Sequence, residues 1–372
     1  MPRPADRLRS PRASILVVVL VTIVFASLLL TRMIETSSAD LLVAMRLADR
    51  ERLRGDAQAA LETTLAVLAE FRAIDRGLYA PAQGWADPLT YAGYTPRAGV
   101  TLEVAFEDES GKLSLPALRP EQIREMLVKF GLGAADAARV ADALLVWMRA
   151  DYPAGDSEVT AAAYGRLDPA FQPPRRALRD FGELATISVA RDFFFDADGR
   201  PTALHDEFTR RVSLYRFSGT NLNTADPAVL LAFGWAQEQA DRLVKYRTTV
   251  NLGTRTPPYF RSIQEARRSL GGEVAMNGLS AAVSCLRVTV TAREGAAALQ
   301  VSALIATSSQ VRLPPSVASD SSALSGGRLG GNRAQAGGVS RSSAAGGATN
   351  SLRYPFTVLE MTEGTPPPVP AP

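Results

Sequence analysis

From Ser14 to Thr31 the chain carries no charged residue, and SILVVVLVTIVFASLLLT rises about 27 Å as a helix, close to the ~30 Å of a bilayer's hydrocarbon core. In lipid every backbone polar group must be satisfied within the segment, so one membrane-crossing helix is predicted here. Arg3, Arg7, Arg9 and Arg12 precede it against Asp6 alone, and that excess of cations keeps the short N-terminal arm on the cytoplasmic side. The rest of the chain is then expected outside the cytoplasm, hung from a single-pass anchor. A cleaved secretory signal is the competing reading, with Ser37, Ser38 and Ala39 as the small residues of a cut. Against it, the apolar run exceeds a usual signal core.

Beyond the span, apolar residues recur at Leu41 and Met45, then Ala57, Leu61, Leu65, Leu68 and Phe71, steps of three and four that mark one helix face. No proline interrupts before Pro81, so the spacing predicts a single helix from Ser14 to about Ile74, roughly 90 Å long. Such a stripe is commonly the face a helix lays on its own domain.

The remaining composition narrows function more than fold. Basic and acidic residues number 41 and 38, a net +3, so the charge does not favour a polyanion-binding surface. One cysteine, Cys285, excludes an intrachain disulfide and a multi-cysteine metal cage, and its apolar neighbours predict a packed strand. One histidine, His205, removes mechanisms needing two imidazoles and argues against a histidine-based hydrolase. A two-carboxylate hydrolase is the remaining enzymatic reading, and no carboxylate pair stands out for it. No enzyme is expected.

Periodicity outlines the body. Val100 to Phe106 alternates as a strand does. Arg119 to Lys129 and Ala134 to Met148 form a predicted helical hairpin around Gly131 and Gly133, with Pro120 in a first turn. A second hairpin is predicted over Asp226 to Lys245, split near Gly234, with Asn221, Asn223 and Thr224 as turn residues before it. Cys285 to Ala292 and Ala298 to Thr307 read as paired strands, and Tyr354 to Met361 as a last one. Pro314 to Ser351 is dominated by Ser, Gly and Ala, and with few large apolar residues it is expected to be disordered. The fold class is α+β: a long N-terminal membrane-spanning helix packed on a small antiparallel sheet, with a large all-α insertion.

Several segments resemble one family. FEDESGKLSL (Phe106 to Leu115), DALLVWMRAD (Asp142 to Asp151), RALRDFGEL (Arg176 to Leu184) and NLNTADPAVLLAF (Asn221 to Phe233) are similar, in order and spacing, to segments of the general secretion pathway protein K family, minor pseudopilins of type II secretion systems. Asn221, Asn223, Thr224 and Ala225 match the family's Asn-x-Asn-Thr-Ala motif. The resemblance covers most of residues 14 to 310 and implies a pseudopilin or type IV pilin-like fold. In those terms the chain divides into a leader (1–13), a transmembrane helix (14–31), the helix's periplasmic half (32–76), a loop and first strand (77–112), the insertion (113–280), two head strands (281–312), the Gly/Ser/Ala-rich loop (313–352) and a final strand with a Pro-rich tail (353–372).

The same resemblance implies cleavage by prepilin peptidase between Ala13 and Ser14, although the family is usually cut after glycine. It places Val18 where most pseudopilins carry a glutamate, a substitution suited to a subunit with no neighbour above it. It further implies an inner-membrane protein with its head in the periplasm, a role in capping and initiating the pseudopilus, and partners among the other minor pseudopilins (proteins I and J) and the inner-membrane assembly platform. The helix face Ala57, Leu61, Leu65 and Leu68 is the expected partner surface.

Two other readings compete. Phe130 to Leu144 also resembles a helix-hairpin-helix, which would make the chain a membrane-anchored DNA-binding or uptake protein. Asp136 and Asp142 beside the turn would repel phosphate, however, and nucleic acid is not favoured. Asp151, Asp156 and Glu158 form a candidate calcium loop, and Asp196 with Asp198 a fragment of another. Both ligand sets are incomplete, so a solvated acidic loop accounts for either. No other cofactor is expected.

Overall fold

The computed structural model describes residues 11–150, 152–153, 161–166, 170–248, 257–271, 274–308, 311 and 353–366. The low-complexity loop expected over 313–352, residues 1–10 of the expected leader, and Asp151, Asp156 and Glu158 lie outside the described residues.

Helix α1 (Pro11–Asp75) is unbroken over 65 residues, about 98 Å at 1.5 Å per residue. Thr22 and Thr31 donate their hydroxyls to the carbonyls of Val18 and Ser27, at 2.8 and 3.0 Å, so neither polar group is left unpaired on the apolar surface. The helix stops where Arg76 takes φ +61° and Gly77 follows, a left-handed exit of the kind that ends many helices. From Leu16 through Leu47 its side chains are exposed, and this stretch is long and apolar enough to cross a membrane.

After α1 come α2 (Pro88–Tyr91), β1 (Val100–Asp108), β2 (Leu113–Ser114), α3 (Pro120–Lys129), α4 (Ala134–Met148), α5 (Ala161–Tyr164), α6 (Ala190–Phe194) and α7 (Ala203–Arg211). Then follow β3 (Val212–Ser213), β4 (Thr220–Asn221), α8 (Pro227–Ala232), α9 (Gln237–Thr248), α10 (Ile263–Leu270), β5 (Leu279–Ser280), β6 (Cys285–Glu294), β7 (Ala297–Ala306), β8 (Arg353–Tyr354) and β9 (Phe356–Gly364). One antiparallel sheet of order β1-β6-β7-β9-β8 forms the head. Alternate residues of its inner face, Val288, Val290 and Ala292 on β6 with Leu299, Val301, Ala303 and Ile305 on β7, are buried against α1, as a period of two requires.

The helix side of that core corrects one expectation. Ala57 and Leu68 are fully buried, and Leu61 and Leu65 are 3 % and 5 % exposed. The face assigned to partner helices is covered by the chain's own sheet, because among the described residues the head has no other element long and apolar enough to close its inner face.

The insertion has its own core. Ile123, Met126 and Leu127 of α3 meet Val140, Leu144 and Trp147 of α4, and Phe194, Phe208, Leu230, Leu243 and Phe260 complete it. Both predicted hairpins form, and Gly131 takes φ +103°, a conformation that side chains disfavour. Asp142 is corrected as well: it does not stand beside the turn, where it was expected to repel phosphate. It lies buried on α4, where its Oδ1 accepts from Arg124 at 2.9 Å and from the Tyr152 hydroxyl at 3.0 Å.

Candidate functional site

The motif Asn221–Ala225 stands at the junction of head and insertion. Two short parallel pairings, β2 with β3 and β4 with β5, stand where the chain passes between the two parts. Asp108, the last residue of β1, turns its carboxylate into this base. It accepts from Ser110 N at 2.9 Å, Ser110 Oγ at 2.5 Å, Asn221 Nδ2 at 2.8 Å and Thr224 Oγ1 at 2.5 Å. Desolvation pushes this carboxyl above the ordinary range, while the donors from Ser110, Thr224 and Asn221 pull it back. Gly111 is required beside it, since a Cβ there would lie 2.6 Å from Thr224 Oγ1.

Asn223 works toward the far end of α1. Its Nδ2 donates to the carbonyls of Phe260 and Ala281 at 2.8 and 2.7 Å, and its Oδ1 accepts from Phe260 N at 2.8 Å. Tyr259 and Arg261 flank Phe260. Tyr259 stacks on Tyr79 at 5.8 Å, and Arg261 pairs with Asp75 at 3.1 Å. Arg247 closes the motif from behind, donating to the carbonyls of Leu222 and Ala225. Burial pushes its pKa down to about 10, so it stays charged at neutral pH. Ala225 itself is fully buried in the insertion core.

Beside this base lies a cleft of about 300 Å³ lined by Trp85, Phe106, Lys112, Arg210 and Asp226 among others. Its charged groups are already matched: Lys112 with Glu107 at 2.6 Å, Arg210 with Glu207 at 3.4 Å, and Asp226 with Arg211 at 3.1 Å.

The other predicted residues are dispersed. Ala13, Ser14 and Val18 lie within α1, and Val18 is exposed. Asp196 accepts from the backbone N–H groups of Asp198 and Arg200, which closes the turn on itself. Among the described residues no group of three or more His, Cys, Asp or Glu is placed to hold a metal ion. Cys285 is buried in β6, and burial pushes its thiol pKa up. At the helix-hairpin-helix turn the Asp136 carboxylate comes within 3.8 Å of where a Gly133 Cβ would be, an acidic group where a phosphate contact would need the opposite charge.

The sequence could have pointed to Asp108 and Ser110 only through the segment Phe106–Leu115; nothing local indicated Tyr79, Tyr259 or Arg261.

A second surface lies on α1, turned away from the sheet. Leu41, Met45, Ala48, Gly55, Ala59 and Ala66 recur at steps of three, four and seven and are exposed, with the charged Arg52 and Glu62 exposed among them. Ala59 is two residues from Leu61, hence about 200° around the helix from the buried face. Leu41 is about 15 Å beyond Thr31 along the axis, so this apolar surface begins clear of the membrane-length segment.

No family model matches the chain, and no curated protein sequence matches it. Its fold is similar to that of a chain in the crystal structure of the GspK-GspI-GspJ complex from the enterotoxigenic Escherichia coli type 2 secretion system, with a TM-score of 0.50, 12% identity, and coverage of 72% of this chain and 95% of that one. The likeness is one of fold.

Proposed function

We propose that this chain is a minor pseudopilin of a type II secretion system, assembled with other minor pseudopilins through the exposed face of α1. The observation that carries this reading is the division of labour on one helix. One face of α1 closes the head's core through Ala57, Leu61, Leu65 and Leu68, while the opposite face exposes the apolar or small residues Leu41, Met45, Ala48, Gly55, Ala59 and Ala66, interrupted by Arg52 and Glu62. Small side chains such as Gly55, Ala59 and Ala66 let a second helix approach closely. An exposed surface of this kind marks an interaction site in a protein that is otherwise well packed. The fold likeness to a complex of three such subunits supports the same partners, here the I and J proteins of the pathway.

In this reading α1 is anchored in the inner membrane with its N-terminus cytoplasmic, prepilin peptidase cuts between Ala13 and Ser14, and the head lies in the periplasm, where it handles no substrate chemically. Val18 lacks the carboxylate that would pair with a subunit above, and the insertion adds bulk on the distal side, so the subunit caps the tip and starts assembly on the inner-membrane platform.

Gold-labelled antibody against the insertion, applied to fibres from secreting cells, tests this placement. Label at one end only supports the cap; label along the fibre, or secretion unchanged after deletion of the gene, contradicts it.

A further inference from the structure

We infer that the insertion is mounted rigidly on the end of α1, so that displacement of the helix along its axis reaches the insertion without an intervening hinge. Three separated contacts fix it. At the end of β1, Asn221 and Thr224 hold Asp108. At the end of α1, Tyr259 stacks on Tyr79 with planes 11° apart, and Arg261 pairs with Asp75. On the last strand, Glu360 accepts from the Tyr215 hydroxyl at 2.6 Å, and Arg287 donates to that same hydroxyl at 3.2 Å. Three contacts on three different elements leave no axis about which a rigid body can turn.

The contacts are also tied to one another. Asn223 holds both the N–H and the carbonyl of Phe260, so the segment bearing Tyr259 and Arg261 cannot move independently of the segment bearing Asn221 and Thr224. A hinge needs a few residues free to absorb large backbone rotations. Here the connecting segments are hydrogen-bonded instead: Val283 N to the Leu78 carbonyl at 2.7 Å, Thr220 Oγ1 to the Lys112 carbonyl at 2.9 Å, and Ser284 N to Ser110 Oγ at 2.9 Å. The mount is a property of the chain itself, whatever its partners. For a subunit at a growing end, it means that axial movement of the anchor helix is delivered to the insertion's outer surface.

The test is a distance measurement on the full chain in detergent micelles. Spin labels go on cysteines introduced at Glu62 of α1 and Ser269 of α10, both exposed; buried Cys285 stays in place. The expected result is one narrow distance distribution for the parent, with loss of the single narrow peak in Y259A/R261A, whose circular dichroism stays that of the parent. A broad or two-peaked distribution in the parent overturns the inference, as does an unchanged narrow peak in the folded double variant. Should that variant fail to fold, the parent distribution and R261A alone decide on the same terms.

Discussion

Asn221 donates from Nδ2 to the Asp108 carboxylate at 2.8 Å across 113 residues of sequence, and the same amide nitrogen donates to the Tyr79 carbonyl at 2.9 Å. One buried amide thus ties together the end of β1, the loop that follows α1, and the base of the insertion. Asn221→Ala leaves a half-buried carboxylate and a buried carbonyl each short of a donor. The expected cost is about 2–4 kcal/mol, read as a lower midpoint in urea at unchanged slope. A change under about 0.5 kcal/mol would mean the clamp is not formed in solution.

Gly111→Ala should destabilise the same joint, because its Cβ would meet Thr224 Oγ1 at 2.6 Å. The expected loss is about 1–3 kcal/mol. In G111A/T224A the closest clash is gone and the hydroxyl donor with it, so the two substitutions should be non-additive in a double-mutant cycle.

Acid should weaken the insertion through Glu183. Burial alone would raise its pKa, but donors from Arg179 N, Trp147 Nε1 and Arg176 together hold it below the ordinary 4.5. A depressed native pKa contributes stability above the unfolded value that is lost as pH falls through the native one. The parent should therefore lose stability as pH falls below the ordinary 4.5, with tryptophan fluorescence as the probe. Glu183→Gln should cost about 1–2 kcal/mol at pH 7 and flatten that part of the profile.

Substitutions on the two faces of α1 should behave oppositely. Leu61→Asp puts a charge into a site 3 % exposed and should destabilise the head by more than about 3 kcal/mol. Ala59→Asp, on the exposed face, should shift stability by less than about 0.5 kcal/mol while abolishing co-purification with partner subunits. Calorimetry on each variant, with affinity capture in parallel, separates the two effects.

The sequence made the long N-terminal helix, both helical hairpins and the head strands legible, because each rests on a local signal: span length, steps of three and four, alternation, and glycine or proline at turns. The motif Asn221–Ala225 was visible as turn chemistry, but its partners were not. Asp108, Tyr79 and Phe260 are brought to it by the topology, which no short window encodes. The face of α1 was misassigned for a related reason. Periodicity located the apolar stripe of Ala57, Leu61, Leu65 and Leu68 but could not say whether the chain's own sheet or another molecule covers it. By spacing Leu41 and Met45 join that same stripe although they stand on the opposite face, and small residues such as Gly55, Ala59 and Ala66 carry almost no hydrophobic signal that would have told the two faces apart.

The most direct test of the proposed role is site-specific photocrosslinking in secreting cells, with a photoreactive amino acid placed in turn at Met45, Ala59, Leu61 and Ala66. The account predicts crosslinks to other minor pseudopilins from Met45, Ala59 and Ala66 and none from Leu61, which faces the chain's own sheet. No intermolecular product from the first three positions, or equal products from all four, would contradict it.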